Sequence, residues 1–239
     1  MAARRRRAFL RRAKRFMAAA HLPVLDRYLH WVGAYTPSHK LSMYTPEFAQ
    51  SLGGNDAGRW LRNALAPEPN LDPVDAVIRA DALLYLPEDL LVKVDIATMA
   101  NSLEARSPFL DHRLVEFCAA LPSSMKLRGR TSKWLLRQLM KDRLPPAILT
   151  RPKMGFGVPV GEWLRGELYP LMEDTLLSSR ALQRGYFRPS AVRALVDEHV
   201  SRRADRTSHI WALLMLELWF REFTDARVSS SPGSTQHAG

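Results

Sequence analysis

No stretch of this sequence alternates polar and apolar residues for long enough to build a sheet, so its elements must be helices. Leu25, Tyr28, Leu29 and Val32 recur at three- and four-residue spacing, the signature of an amphipathic helix. Pro37 and the polar Thr36–Ser38 stretch are expected to close it. Thr45-Pro46-Glu47 has the order of a helix start, with proline in the first turn and an acid at the positive end of the dipole. Gly53-Gly54-Asn55-Asp56 reads as a turn, as does the stretch holding Pro67 and Pro69. Asp72-Pro73 opens a helix with Val74, Val77, Ile78 and Leu84 on one side, and Pro87-Glu88-Asp89 reads as a second start. Asp111 is expected to cap the helix carrying Leu114, Val115 and Phe117, and Thr131 the one carrying Trp134, Leu135, Leu136 and Leu139. A last helix from about Thr207 to Phe223 is apolar nearly all round and should be buried. The expected organisation is a basic helical arm over 1–25, a helical body over 26–224 and a disordered tail over 225–239. No internal repeat is present.

Composition narrows the class. The single cysteine, Cys118, cannot form an internal disulfide, which excludes a disulfide scaffold and points to a reducing, cytoplasmic setting. It lies in Val115-Glu116-Phe117-Cys118-Ala119-Ala120 and reads as a small buried hydrophobe. No run of about 18 apolar residues is available to span a membrane. Net charge is +11, but residues 1–25 hold eight bases and no acid, while the remainder sets 27 bases against 24 acids. The high charge therefore belongs mostly to one arm. Such an arm is either a solvated basic helix or a contact for nucleic acid or an anionic membrane. No zinc-finger spacing or Gly-aromatic RNA motif accompanies it, which disfavours nucleic acid.

Two stretches interrupt the helical pattern. Lys93 and Asp95 stand in a helix otherwise rich in Leu, Val and Ile, so each must be paired, exposed or functional. Beyond it, Pro108 pushes Ser107 out of the helical region. If 103–107 is extended, Glu104 and Arg106 point to one side, facing either each other or a ligand. The second stretch, Arg151-Pro152-Lys153-Met154-Gly155-Phe156-Gly157-Val158-Pro159, is a proline-fenced glycine loop that starts with two bases. Its glycines permit close backbone approach, and Lys153 is a compact charge able to reach a phosphate; the loop is not a Walker A motif. His112, His199 and His209 show no metal-ligand spacing, and no metal site is expected.

These stretches, Leu86-Pro87-Glu88-Asp89-Leu90-Leu91-Val92-Lys93-Val94-Asp95, Ser102-Leu103-Glu104-Ala105-Arg106-Ser107-Pro108-Phe109-Leu110-Asp111 and Arg151-Pro152-Lys153-Met154-Gly155-Phe156, closely resemble the C-terminal synthetase domain of bacterial-type glutamine-hydrolysing asparagine synthetases. The likeness runs from about residue 70 to 224, with 1–69 fitting more loosely. It implies a mainly α fold, the helical C-terminal portion of an α/β adenine-nucleotide-hydrolase-like (ATP pyrophosphatase) domain. It also implies ATP and Mg2+, activation of aspartate as a β-aspartyl-adenylate with loss of pyrophosphate, and displacement of AMP by glutamine-derived ammonia. Lys153 matches the family lysine facing the phosphates, and Asp95 an acid near the same centre. Glu104, Arg106 and Arg151 match supporting or substrate-binding positions.

The family's nucleophilic cysteine after the initiator Met, its Ser-Gly-Gly-x-Asp-Ser pyrophosphate loop and its Gly-Glu-Gly-x-Asp-Glu stretch are all absent from this sequence. The resemblance therefore implies a partner: a missing N-terminal part, or a separate chain, carrying the glutaminase and the pyrophosphate loop. The isolated chain is expected to be inactive. Two alternatives stay open. One is a related ligase of the β-lactam synthetase or lasso-peptide cyclase type; the other is a non-catalytic basic interaction module.

Overall fold

Capping signals written in the sequence set several of the helix starts. The computed structural model describes residues 16–56, 58–65, 68, 70–152 and 157–225. The basic arm up to residue 15, the tail beyond Asp225 and Lys153 lie outside them, as do Pro67 and Pro69. Thr45 caps Pro46–Ser51 by accepting from the Phe48 N–H, Asp72 caps Pro73–Ala80 through Val74, and Asp111 caps His112–Ala120 through Arg113. The chain is mainly helical. Among the described residues the only sheet is a hairpin of two residues a side, pairing Leu127 with Ser132 and Arg128 with Thr131. The chain divides into two compact units, one holding 1–31 and 56–155, the other 32–55 and 156–239.

In the first unit, the helix Val24–Val32 lies against Gly58–Leu65. A Cβ at Gly58 would sit 2.5 Å from Leu29 Cδ1, so the close approach requires glycine there. Tyr28, Leu61, Leu65 and Ala80 form the buried cluster, with Leu25, Leu29, Val77 and Leu84 packed against it. The Tyr28 hydroxyl donates to Asp81 Oδ1 at 2.8 Å. Arg62 ties the same helices by bridging Asp26 and Asp56.

Several expectations fail here. Pro87 does not start a helix. It lies inside a π-helical stretch, Asp81–Leu91, that joins Pro73–Ala80 to Val92–Met99 without a break. Proline has no N–H to give and crowds the preceding turn, and a widened turn is one way a helix absorbs that defect. Pro37 opens the Pro37–Met43 helix under a Thr36 cap rather than closing the one before. Thr131 belongs to the hairpin; the residue before Trp134–Leu139 is Lys133, held left-handed at φ 54° with no side-chain cap. Cys118 is exposed, not buried.

The second unit has a fuller core: Met43, Leu164, Met172, Leu176, Val192, Leu195, Val196, Ile210, Leu213 and Leu214. The helix Thr207–Trp219 buries Ile210, Leu213, Leu214 and Glu217, but Trp211, Met215 and Trp219 are exposed, so it is half buried rather than enclosed. Buried Glu217 is neutralised by Arg184, which donates to both its oxygens at 2.5 and 3.0 Å and also holds Asp225.

His199 is fully buried. Its Nδ1 accepts from the Arg206 backbone N–H at 3.2 Å and faces Arg165 Nη2 at 3.2 Å, which leaves Nε2 to donate to the Gly161 carbonyl at 3.0 Å. A Cβ at Gly161 would fall 2.5 Å from Thr207 Oγ1.

Burial pushes the His199 pKa below its ordinary value, and the Arg165 charge adds to this against the opposing Gly161 carbonyl, Asp205 and Glu162. His209, edge-on to Tyr35 and His39, is lowered too, first by burial and then by His39 and Arg206. A neutral imidazole in the fold and a protonated one in the unfolded chain make stability rise with pH. The His199 contribution is complete above about pH 6.5 and is lost as pH falls below it toward the folded pKa. Melting followed by circular dichroism should therefore fall on acidification from pH 7 to 5. In His199→Gln the melting temperature should be lower throughout, with a shallower pH slope; an unaltered slope would remove His199 as its cause.

Candidate functional site

The helical run from Pro73 to Met99 is the rail on which the candidate site is built. Lys126 fixes the following helices to it by donating to Asp75 Oδ1 at 2.7 Å and to the Ala119 carbonyl at 2.9 Å. The Lys126 and Asp75 side chains are only 15% and 21% exposed, so this pair is screened less than the surface pairs.

Asp95 stands in Val92–Met99, exposed; its carboxylate has no hydrogen bond or ion pair among the described residues, while its backbone carbonyl accepts from Thr98 Oγ1 at 3.2 Å. Past Met99 the chain leaves the helix through Ser102, a non-glycine residue at φ 56°, while the Leu103 N–H returns to the Thr98 carbonyl at 3.0 Å. This is the left-handed helix ending that sends the chain off extended. Residues 103–107 carry no regular secondary structure, and Ser107, just before the 3-10 turn Pro108–Leu110, is extended, as the proline requires. Glu104 and Arg106 meet: Arg106 Nε donates to Glu104 Oε1 at 2.8 Å. Their side chains are 69% and 84% exposed.

Arg113 adds a group the sequence reading missed. Its guanidinium grips both oxygens of Asp111, at 3.0 and 2.7 Å, while its backbone N–H binds the same carboxylate. The Arg113 guanidinium and N–H hold the Asp111 carboxyl below the usual carboxylate range. The available signal was a cap acid with an arginine two residues on. Arg151 is exposed at the end of the Pro146–Thr150 helix, and Lys153 lies outside the described residues. Of the five site residues read from the sequence, the structure brings Glu104 and Arg106 together and shows no contact of Asp95 or Arg151 with them. Among the described residues no cluster of three or more His, Cys, Asp or Glu could hold a metal ion, so these residues provide no protein-built cage for Mg2+. No helix is long and apolar enough to cross a membrane.

The surroundings of this site are unusual. No described residue from Asp81 to Pro152 is buried. Ile96, Met99 and Leu103, on the elements that carry Asp95, Glu104 and Arg106, and Phe109 and Phe117, on the two elements that follow, are 57–65% exposed. Apolar side chains collected around charged ones on a rigid frame mark a surface built to be covered.

Residues 2–221 match the family described as asparagine synthase. A putative glutamine-hydrolyzing asparagine synthetase of Mycobacterium bovis is 38% identical over 159 residues, which cover 66% of this chain and 24% of that protein. Asparagine synthetase (glutamine-hydrolyzing) 1 of Bacillus subtilis is 28% identical over 211 residues, 87% of this chain and 32% of that protein. Human asparagine synthetase (glutamine-hydrolyzing) is 28% identical over 167 residues, 64% of this chain and 29% of that protein. The chain thus spans about a quarter to a third of the length of these relatives. No solved structure matches it.

The Glu104–Arg106 pair is too exposed to matter much to folding, since such pairs contribute about 0–1 kcal/mol. Glu104→Gln and Arg106→Met should therefore leave the melting temperature nearly unchanged in a thermal scan. A large drop would make the pair a structural tie and remove it from the site.

Proposed function

The chain belongs to the asparagine synthase family, and on that ground we propose that it forms the helical C-terminal wall of an ATP-dependent, amide-forming synthetase site. The domain would be of the adenine-nucleotide-hydrolase-like kind, completed by the part of the family protein that this chain does not span. The observation that carries the reading is the uncovered apolar surface around Asp95, Glu104 and Arg106. Burying apolar area is worth about 25 cal/mol per Å2, so a complementary nucleotide-binding part has a strong reason to dock there. Docking would also take the charged groups out of water, where their interactions with a substrate gain strength.

In this reading aspartate and ATP meet at the covered face. The β-carboxylate attacks the α-phosphate, pyrophosphate leaves, and ammonia then displaces AMP. The residues of this chain act by charge and placement. Lys153 sets an ammonium against the negative charge that grows on the departing pyrophosphate. Arg151, two residues earlier, adds positive charge to the same loop. Asp95 projects an unpaired carboxylate suited to a cationic or protonated group of the substrate. Glu104 holds the Arg106 guanidinium in a fixed direction, leaving its remaining N–H groups free to meet a substrate carboxylate. Mg2+ would be bound mainly by the phosphates, and no step here depends on its placement.

The test is pyrophosphate release from ATP and aspartate by the complete synthetase. Lys153→Ala should reduce it by at least about 100-fold, the usual cost of removing one preorganised transition-state donor. Far-UV circular dichroism should stay unchanged. Near-normal turnover in that variant would overturn the assignment.

A further inference from the structure

Several exposed arginines of this chain lie on a carboxylate: Arg106 on Glu104, Arg113 on Asp111, Arg202 on Glu162, Arg203 on Asp197. The stretch from Arg128 to Arg151 is built differently. It holds seven bases and a single acid, Asp142. Six of those bases, Arg128, Arg130, Lys133, Lys141, Arg143 and Arg151, are exposed, and none of the six has an ion pair among the described residues. Cations left facing water and one another repel, and a bound polyanion relieves that repulsion.

Local structure gathers four of the six. The strands Leu127–Arg128 and Thr131–Ser132 pair across Gly129-Arg130, with Gly129 at φ 58°, a turn that needs glycine there. Arg128 and Arg130 thus stand two residues apart at an exposed tip, and a Cβ on Gly129 between them would meet nothing within 4 Å. The Arg128 guanidinium is steadied over the half-buried Trp134 ring, 4.9 Å from its centroid. Lys133 follows the second strand, left-handed at φ 54°, where the chain turns into the Trp134–Leu139 helix. The half-buried Arg137 then ties in a further segment: its Nε donates to Ser132 O at 3.0 Å and its Nη1 donates to Leu149 O. One guanidinium therefore holds both the residue before Lys133 and a residue only two before Arg151, about 7 Å of chain away. Lys141 and Arg143 stand past the far end of the Trp134–Leu139 helix, about 9 Å long.

We propose that Arg128, Arg130, Lys133 and Arg151 form a binding site for a chain of linked phosphates, a pyrophosphate or triphosphate group. Such a group packs several negative charges into a short length, as the hairpin and the segment tied to it pack their cations. Guanidinium forks take phosphate oxygens in pairs, and the lysine adds a compact point charge. An acidic peptide spreads its charges along a flexible chain and matches the site less well. All four contributing side chains are cations, so they recognise the phosphates and not a base. The site stands apart from the role given to Lys153 and does not rest on it.

Calorimetric titration of the full chain with pyrophosphate, tripolyphosphate and ATP, at about 0.15 M salt, tests it. Pyrophosphate and tripolyphosphate should bind, and inorganic phosphate should bind at least about tenfold more weakly. Binding of ATP as tight as that of tripolyphosphate supports the site and makes a nucleoside triphosphate its ligand. Binding of pyrophosphate without ATP supports the site and makes the free anion its ligand. Binding of ATP without tripolyphosphate, or no binding at all, would overturn it. Arg130→Gln, Lys133→Gln and Arg151→Gln should each weaken tripolyphosphate about fivefold, the attraction of one charge pair about 4 Å apart in water. The double variant Lys141→Gln, Arg143→Gln should change it less than about twofold, because charges more than about 8 Å away are screened. Equal losses from the two sets would mean a positive surface without a site and would overturn the proposal. Lys153→Ala should bind as the wild type does; a loss confined to that variant would move the binding to the glycine loop and overturn the hairpin site. The substituted hairpin and Arg151 side chains are exposed and unpaired, so melting temperatures should stay nearly unchanged. Were one of the three variants to unfold, the other two would decide.

Discussion

A layer of amphipathic helices holds its shape only if its apolar side has something to rest on, and from Asp81 to Pro152 no described residue of this chain is fully buried. What keeps that stretch ordered is a set of polar fastenings. Lys126 reaches back to Asp75, Arg113 to Asp111, Arg137 to two carbonyls, and the Tyr28 hydroxyl to Asp81 where the helix passes into its π-helical stretch. Each is worth little beside a hydrophobic core, but together they hold a surface in shape before anything covers it. The small cluster of Tyr28, Leu61, Leu65 and Ala80 anchors the near end of the long helical run and leaves its far end, with Asp95, projecting.

The second unit is arranged otherwise. Its ten-residue core encloses large aliphatic and methionine side chains, and most of its described arginines are matched to acids, among them Arg184 to Glu217 and Asp225, Arg202 to Glu162, Arg206 to Glu198 and Arg221 to Glu217. A body of that kind satisfies most of its own charges. The basic stretch from Arg128 to Arg151 does not, and a net charge near balance over the whole body hides this separation. Its seven bases and one acid stand in the same unit as the long run from Glu68 to Glu116, where acids outnumber bases.

Local chemistry was legible in the sequence, and long-range chemistry was not. Thr45, Asp72 and Asp111 announced helix starts because a cap is made within three residues. Glu104 and Arg106 announced their pairing because a proline fixed the backbone between helix and turn. Pro87 misled, because whether a proline starts a helix or is absorbed by a widened turn depends on what holds the helix on either side. Thr131 misled because a hairpin of two residues a side leaves no periodicity to detect. Cys118 and the aromatic residues of Thr207–Trp219 look like core by composition, yet exposure is decided by neighbours distant in sequence. The partners of His199 lie 38 residues upstream at Gly161 and seven downstream at Arg206, and no motif encodes such a set.

Gly161 has a history built into its surroundings. Its carbonyl holds the buried imidazole, and the space where a side chain would grow is filled by the hydroxyl of Thr207, itself tied to Asp205. Random drift at these positions therefore cannot proceed in any order. Alanine at 161 would require the Thr207 hydroxyl to move, and with it the bond to Asp205. Position 161 is thus coupled to 207: what one can hold depends on the side chain at the other.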